Sequence, residues 1–350
     1  METKLTHRPA QLETYLVTAE QMQQIESRVF AAGMPVAALM EKVAELITQA
    51  LKQILNLEGL PGSRIGVLVG PGHNGGDALV VARELWLAGH EVVICHPFSK
   101  RKPLTERHGN YARSLGIPWE TSVDALAQWS QDCDYLIDGL FGFGLERPIE
   151  GSLAAAIATL NNTNLPILSI DLPSGIHTDT GQILGTAVKA THTLCLGLWK
   201  RAFVQETALD YLGTPHLIDF GLPLADIQAV LEASQVQRLT PQTARQRLPH
   251  RAATAHKYTA GHLLLIAGSR QYAGAALLAG LGAVASGVGM LTLAAPESLR
   301  LWLVGQLPGA LVVGCTEGDE GGISALPEDI HLDRYDVIAC GPGLTQQAKS

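Results

Sequence analysis

Residues 64–85 read RIGVLVGPGHNGGDALVVAREL, and this stretch decides the fold. Arg64 to Gly70 is a short β-rich run ending in a glycine cluster, and from Asp77 to Gly89 the apolar residues recur at helical spacing. A strand, a glycine turn and a helix in this order form the opening of a βαβ unit. Backbone N–H groups of the turn can approach an anion closely, with the helix dipole assisting. Gly70, Gly72 and Gly75 also satisfy G-x-G-x-x-G, so a Rossmann dehydrogenase is a rival reading. That class expects an Asp or Glu at the end of the second strand to hold a ribose. Here EVVICHP ends in Cys95, His96 and Pro97. A plainer reading also stands, in which Asn74 and Asp77 only cap the helix.

Outward from this stretch the same unit repeats. CDYLIDGLFG (133–142), a helix near Gly151 to Leu160, PILSIDLPSG (166–175), THTLCLG and HLIDFGLP follow in turn. Apolar strands alternating with helices predict a doubly wound, Rossmann-like α/β domain whose mostly parallel sheet is covered on both faces. Upstream, Thr18 to Leu51 reads as helices, with Thr18 and Gln21 in a capping-box pattern. From Leu239 the texture changes, and LTPQTARQRLPHRAATAHK reads as a polar linker. The first domain is therefore expected at 1–238. GHLLLIAGS, YAGAALLAGLGAVASG, MLTLAAP and YDVIACGPGL make a second strand–helix series within 239–350.

Composition sets the class. At 350 residues there is chain for two domains, and 47% apolar against 17% charged residues excludes a disordered protein. A net charge of −8, without a basic stripe, excludes nucleic acid as a bulk partner. Five cysteines with no CxxC pair read as buried free thiols in a reducing compartment. The N-terminus, METKLTHRPAQLETYL, lacks the apolar core of a signal peptide, so the cytoplasm is expected. Gln271 to Pro296 is uncharged and long enough to span a bilayer. Its repeated glycines and the flanking rhythm predict a buried helix followed by a strand, and no membrane association.

Two further strands end in carboxylates: Asp138 in DYLIDGLFG and Asp171 in LSIDLPSG. Ligands of open α/β sheets bind beyond the carboxyl ends of the strands. Asn74, Asp138 and Asp171 are thus expected to face one crevice. FGFGLERP brings a glycine-flexible loop with Arg147, whose fork suits phosphate oxygens. Pro173, Ser174 and Gly175 make a stiff turn that holds the Asp171 carboxylate and turns a hydroxyl inward.

GPGHNGGDALVVAREL, DGLFGFGLERP, DLPSG and VKATHTLCLGLWKR, in that order, resemble the motif series of NAD(P)H-hydrate epimerases. The opening TAEQMQQIE…GMPVAALME resembles that family's N-terminal helices, and the likeness runs from about Leu16 to Pro223. The resemblance implies interconversion of the R and S hydrates of NADH and NADPH. It implies that His73, Asn74, Gly75, Gly76 and Asp77, with Gly142, Phe143, Gly144, Leu145, Glu146, Arg147 and Pro148, hold the dinucleotide. It implies Asp171 as acid/base at the hydrated ring, and Asn74, Asp138 and Ser174 as potassium ligands, hard oxygen donors that such a cation prefers. The chain departs from the family at His73, Ala78 and Thr191, where Asn, Gly and Asp are usual. A non-catalytic dinucleotide-binding or adaptor module of the same fold is the alternative; a homo-oligomer is expected. The second series resembles the start of ribokinase-like, ADP-dependent NAD(P)H-hydrate dehydratases. That likeness implies Ala275 and Gly343 as hydrate contacts, with ADP or ATP used only by a complete domain. The family's nucleotide and catalytic loops are expected further on, so the second domain is expected to be incomplete and inactive.

Overall fold

The computed structural model describes residues 8–55, 62–123, 130–231, 236–248 and 250–345. The first seven residues of the segment read for a signal peptide lie outside the described residues, as do 346–350. The chain divides into two compact α/β units, Met1–Gln246 and Arg247–Ser350. The tract after 236 stays with the first unit for a local reason. Gln237 bridges to Tyr15, the Arg238 N–H donates to Thr14 O at 2.8 Å, and the Arg238 guanidinium pairs with Glu13. The stretch read as a linker also contains a helix, Pro241–Arg247, opened by reciprocal bonds between Thr240 and Thr243.

In the first unit seven parallel strands stand in the order Trp119–Glu120, Glu91–Cys95, Arg64–Val69, Tyr135–Gly139, Ile167–Ile170, His192–Leu196, Thr214–Ile218. Alternation along each strand feeds two cores. Ile65, Val67, Val69, Ile137 and Leu168 point to one face and pack with helices Ala19–Ala31, Val36–Ile54 and His73–Leu87. Leu68, Val93, Leu136 and Ile167 point to the other and meet helix Gly151–Asn161. Both faces are covered, as near-continuous apolar strands require. The capping box forms: Gln21 N–H donates to Thr18 Oγ1 at 3.1 Å and Thr18 N–H to Gln21 Oε1 at 3.0 Å. The sequence reading missed Trp119–Glu120, too short to carry a period, and the charge-rich helix Pro103–Ser114.

The sheet order reverses between Arg64–Val69 and Tyr135–Gly139, and two glycines let the chain close up there. A Cβ on Gly70 would stand 1.6 Å from Leu140 O, and one on Gly75 would stand 1.9 Å from Gly70 O. Two family departures are absorbed nearby. The Ala78 methyl occupies space left by Gly139, where a Cβ would come within 2.3 Å of it. Thr191 Oγ1, where an Asp is usual, accepts the Ile167 N–H at 3.1 Å.

The second unit holds a five-stranded sheet ordered Ile323–Ala325, Ala310–Glu317, Met290–Pro296, His262–Ile266, Val337–Cys340, parallel except for the first pair. Gln271 to Pro296 forms a helix, Ala273–Ala285, and a strand, Met290–Pro296; among the described residues no helix is long and apolar enough to cross a membrane. The helix is not buried as expected: only Ala276 and Gly280 are covered, while Leu278 is 70% exposed and Leu281 and Val284 also face solvent. It contacts the core through Ala276 and Gly280, with Leu277, Ala279 and Ala283 partly buried beside them. Four cysteines are buried thiols, but Cys340 is exposed, because its edge strand is open to water.

Gly70→Ala should destabilise the protein by about 3 kcal/mol or more, since the clash is with backbone that cannot yield. Gly72→Ala, with nothing within 4 Å of the new methyl, should cost far less. Urea midpoints of the two variants check this; equal midpoints would contradict the close approach.

Candidate functional site

The crevice at the sheet reversal is walled by the turn Gly70–Gly72, the start of helix His73–Leu87, and the loop after Gly139. Gly72 is the N-cap and no side chain caps the helix, so Asn74 and Asp77 are not caps. The first-turn N–H groups therefore remain available to an anion. Thr105 Oγ1 pins the turn through Gly72 O at 2.8 Å, and the Lys102 N–H through Pro71 O at 3.0 Å. His73 is exposed; partial burial of its ring, and then Lys102, lower its pKa. Gly75 and Gly76 act as spacers, Gly76 lying against Met40. The Asn74 amide is buried with Nδ2 unpartnered, and its Oδ1 faces Gly142, where a Cβ would stand 3.1 Å from it.

Of the Gly142 to Pro148 segment, Gly142 lies between Asn74 and Asp171, and the Gly144 N–H donates to Thr178 Oγ1 at 3.2 Å. Leu145, Arg147 and Pro148 line a groove of about 690 Å³ with Phe98, Ser99 and Lys100, while Glu146 is exposed. Its two cations, Lys100 and Arg147, are free-standing and suit phosphates. A second groove, about 710 Å³ between Glu13 and Gln246, lies away from the strand ends and gathers none of these groups.

Asp171 follows strand Ile167–Ile170 and is 2% exposed. Among the described residues it is the one non-glycine with positive φ, 70°, a conformation costing on the order of 1–3 kcal/mol. Its N–H donates to Leu194 O at 2.8 Å; its Oδ2 accepts from Phe143 N–H at 2.9 Å. Its Oδ1 accepts from Lys200 Nζ, whose side chain is wholly buried. Burial disfavours that ammonium, but Asp171 and then Cys195 more than offset it, leaving the Lys200 pKa raised. Lys200 lies within the quoted stretch VKATHTLCLGLWKR but was given no role in the sequence reading; its signal was a pair of cations, Lys200 and Arg201, directly after the apolar run LCLGLW.

Asp138 and Ser174 meet directly. Ser174 Oγ donates to Asp138 Oδ1 at 2.6 Å and Ser174 N–H to Oδ2 at 2.8 Å; Ser169 Oγ and Leu140 N–H also donate to the carboxylate, at 2.9 and 3.2 Å. Burial pushes the Asp138 carboxyl up, and the Ser174 and Ser169 bonds resist this. Phe141 O lies 3.2 Å from Ser174 Oγ. Among the described residues no group of three or more His, Cys, Asp or Glu side chains could hold a metal. In the second unit Gly343 and Ala275 come together, a Cβ on Gly343 meeting that of Ala275 at 2.7 Å.

Two more carboxyls share the field of Asp171 and Lys200. Asp77 is buried and pushed well above the carboxylate range by desolvation, then by Asp171 and Glu26. Glu26, on helix Ala19–Ala31, is pushed up to about 7, chiefly by burial. Folded Glu26 thus keeps its proton to about pH 7, whereas unfolded it releases it near 4.3, so between these values the folded state binds more protons and stability falls as pH rises. Glu26→Gln removes this loss. Its stability relative to the parent should be lowest below about pH 4 and rise by on the order of 1–3 kcal/mol between about pH 5 and pH 8. Thermal melts across that range check it, and a constant difference would contradict it.

Residues 36–202 match the family model described as YjeF-related protein N-terminus, and residues 263–350 match that of NAD(P)H-hydrate dehydratase. Over 94% of its length the chain is 54% identical to a protein of Synechocystis named bifunctional NAD(P)H-hydrate repair enzyme Nnr, covering 62% of that protein. A protein of the same name from Thermosynechococcus vestitus is 47% identical over 96% of this chain and 65% of its own. The chain thus spans just under two thirds of the length of these relatives. A yeast crystal structure is 24% identical with TM-score 0.50, covering 54% of this chain and 83% of that one, which shows a shared fold. Residues 36–202 therefore belong to the YjeF-related N-terminal family, and residues 263–350 to the NAD(P)H-hydrate dehydratase family.

Proposed function

We propose that the first unit epimerises the R and S hydrates of NADH and NADPH, with Asp171 as the acid/base group. The observation that carries this reading is the placement of Asp171. A carboxylate fixed at both oxygens stands at a strand end beside Gly142 and an anion-ready helix terminus. The pyrophosphate would lie on the free first-turn N–H groups of His73 to Gly75, with Arg147 and Lys100 as further donors. The orphaned Asn74 Nδ2 is a donor suited to a phosphate or ribose oxygen. In the hydrate the hydroxyl sits on a ring carbon next to the ring nitrogen. A carboxyl that protonates this hydroxyl lets the nitrogen lone pair expel water; as carboxylate it takes the proton from water adding to the opposite face. The proton returns to where it began, and only the configuration changes.

A potassium ion fits the donor set. Asp138, Ser174 and Asn74 Oδ1, with the Phe141 carbonyl, offer oxygen donors only, and among the described residues the buried Asp138 carboxylate is met by neutral donors rather than by a cation. Such an ion would supply a counter-charge for Asp138 and a fixed positive point for the dinucleotide phosphates. The adaptor alternative is less favoured, because a pure binder has no use for a strained, ion-paired carboxylate in its crevice.

For the second unit, the meeting of Ala275 and Gly343 supports a contact with the hydrate. Its helix face of Leu278, Leu281 and Val284 and its edge residues Val337 and Ile338 are open to water, so little encloses that contact.

Asp171→Asn should lower R/S interconversion about 10²–10⁴-fold and, because it leaves the buried Lys200 ammonium unpaired, also lower the melting temperature; equilibration at the parental rate would refute the assignment. Supplied with the S hydrate and ADP, the 350-residue chain is expected to show no ADP-dependent recovery of NADH absorbance. Steady conversion would instead locate a working dehydratase site within residues 263–350.

A further inference from the structure

Lysine is almost never fully buried unless it is paired. Lys200 stands on the two-residue strand Trp199–Lys200, which pairs in parallel with Leu16–Val17. Its ammonium reaches Asp171 Oδ1, Leu196 O at 2.6 Å and Cys195 Sγ at 3.9 Å, and lies 5.7 Å from the centre of the Phe143 ring. The neighbouring strand pairs are made by backbone groups, which the ammonium does not replace. A methionine of similar length would fill the space with no charge to desolvate, so packing alone does not explain a cation here. The side chain has no solvent-accessible surface and cannot itself reach a ligand in the crevice. What it does reach is Asp171, whose left-handed backbone persists only where its surroundings over-determine it. Lys200, with the Leu196 N–H at 3.4 Å, holds Oδ1 while the Phe143 N–H holds Oδ2, which keeps the head group turned toward Gly142. Asp77 and Glu26 add two further carboxyls to the same region, and of the cations that act on Glu26 only Lys200 also bonds Asp171.

We propose that Lys200 is a positioning residue: its buried ammonium supplies the counter-charge and the anchor that aim the Asp171 carboxylate into the crevice, and it acts on the reaction only through Asp171. This rests on the epimerase reading above. Four proteins test it: the parent, Lys200→Met, Asp171→Asn and the double variant. Each is assayed for R/S interconversion, for binding of NADPH as a non-reacting probe, and for its thermal melt. Lys200→Met should lose about 10²–10³-fold in kcat. Its KM, and its Kd for NADPH, should stay within about threefold of the parent.

The double variant should be no slower than Asp171→Asn alone, and should melt above Lys200→Met because no charge is left buried and unpaired. A Lys200→Met kcat within about threefold of the parent would overturn the proposal. So would a double variant about tenfold or more slower than Asp171→Asn. If Lys200→Met does not fold, the double variant against Asp171→Asn decides alone. No interconversion by the folded parent would refute the epimerase reading. The melts would then still separate a coupled pair, in which the second substitution recovers stability lost to the first, from two independent losses.

Discussion

Among the described glycines of the first unit, the tightest approach to another stretch of backbone is that of Gly70, after strand Arg64–Val69, to Leu140, in the turn after Tyr135–Gly139. Gly70 and Leu140 come together so tightly that no side chain fits between them, and the Gly70 N–H completes the contact by donating to Gly139 O at 3.0 Å. That contact sets the depth of the crevice. It brings the start of helix His73–Leu87 down onto the sheet, and it turns the next loop back so that Gly142 stands between Asn74 and Asp171. Every polar group of the site is measured from this one steric limit. The cores on either face then hold the strands so that the two turns cannot drift apart.

The electrostatics follow from enclosing four acids in a small volume. Asp138 is served by four hydrogen-bond donors and Asp171 by an ammonium, while Asp77 and Glu26 are driven toward their neutral forms. One region thus sets carboxyl groups in unlike environments side by side, three of them pushed up by burial and the fourth paired with an ammonium, the arrangement from which proton-transfer sites are commonly built.

Much of this was legible in the sequence, and the reason is geometric. Asp138, Asp171 and Ser174 sit at the ends of strands whose apolar pattern is unmistakable, and parallel neighbours must bring such ends together. The G-x-G-x-x-G spacing was legible too, although its glycines turn out to answer mainly to close packing at Gly70 and Gly75, with only Gly72 left open to a ligand. Lys200 and Glu26 were not legible. Their partners lie far away in sequence, and nothing local distinguishes a lysine that turns inward from one that turns out. The exposed helix Ala273–Ala285 misled for a related reason: an Ala/Gly-rich composition is compatible with burial, but only a neighbour can provide it.

The short pairing of Leu16–Val17 with Trp199–Lys200 has a consequence for how the protein is made. Asp179 Oδ1 reinforces it by accepting the Ala19 N–H at 2.8 Å. The strand that carries the buried ammonium is fastened to Leu16–Val17, a segment synthesised well before it, with six strands of the main sheet emerging between the two. Closing so long a loop is slow relative to local helix formation. The counter-ion of Asp171 is thus carried by a strand whose outer edge is secured only by a contact of long sequence separation, the class of contact whose closure costs most entropy.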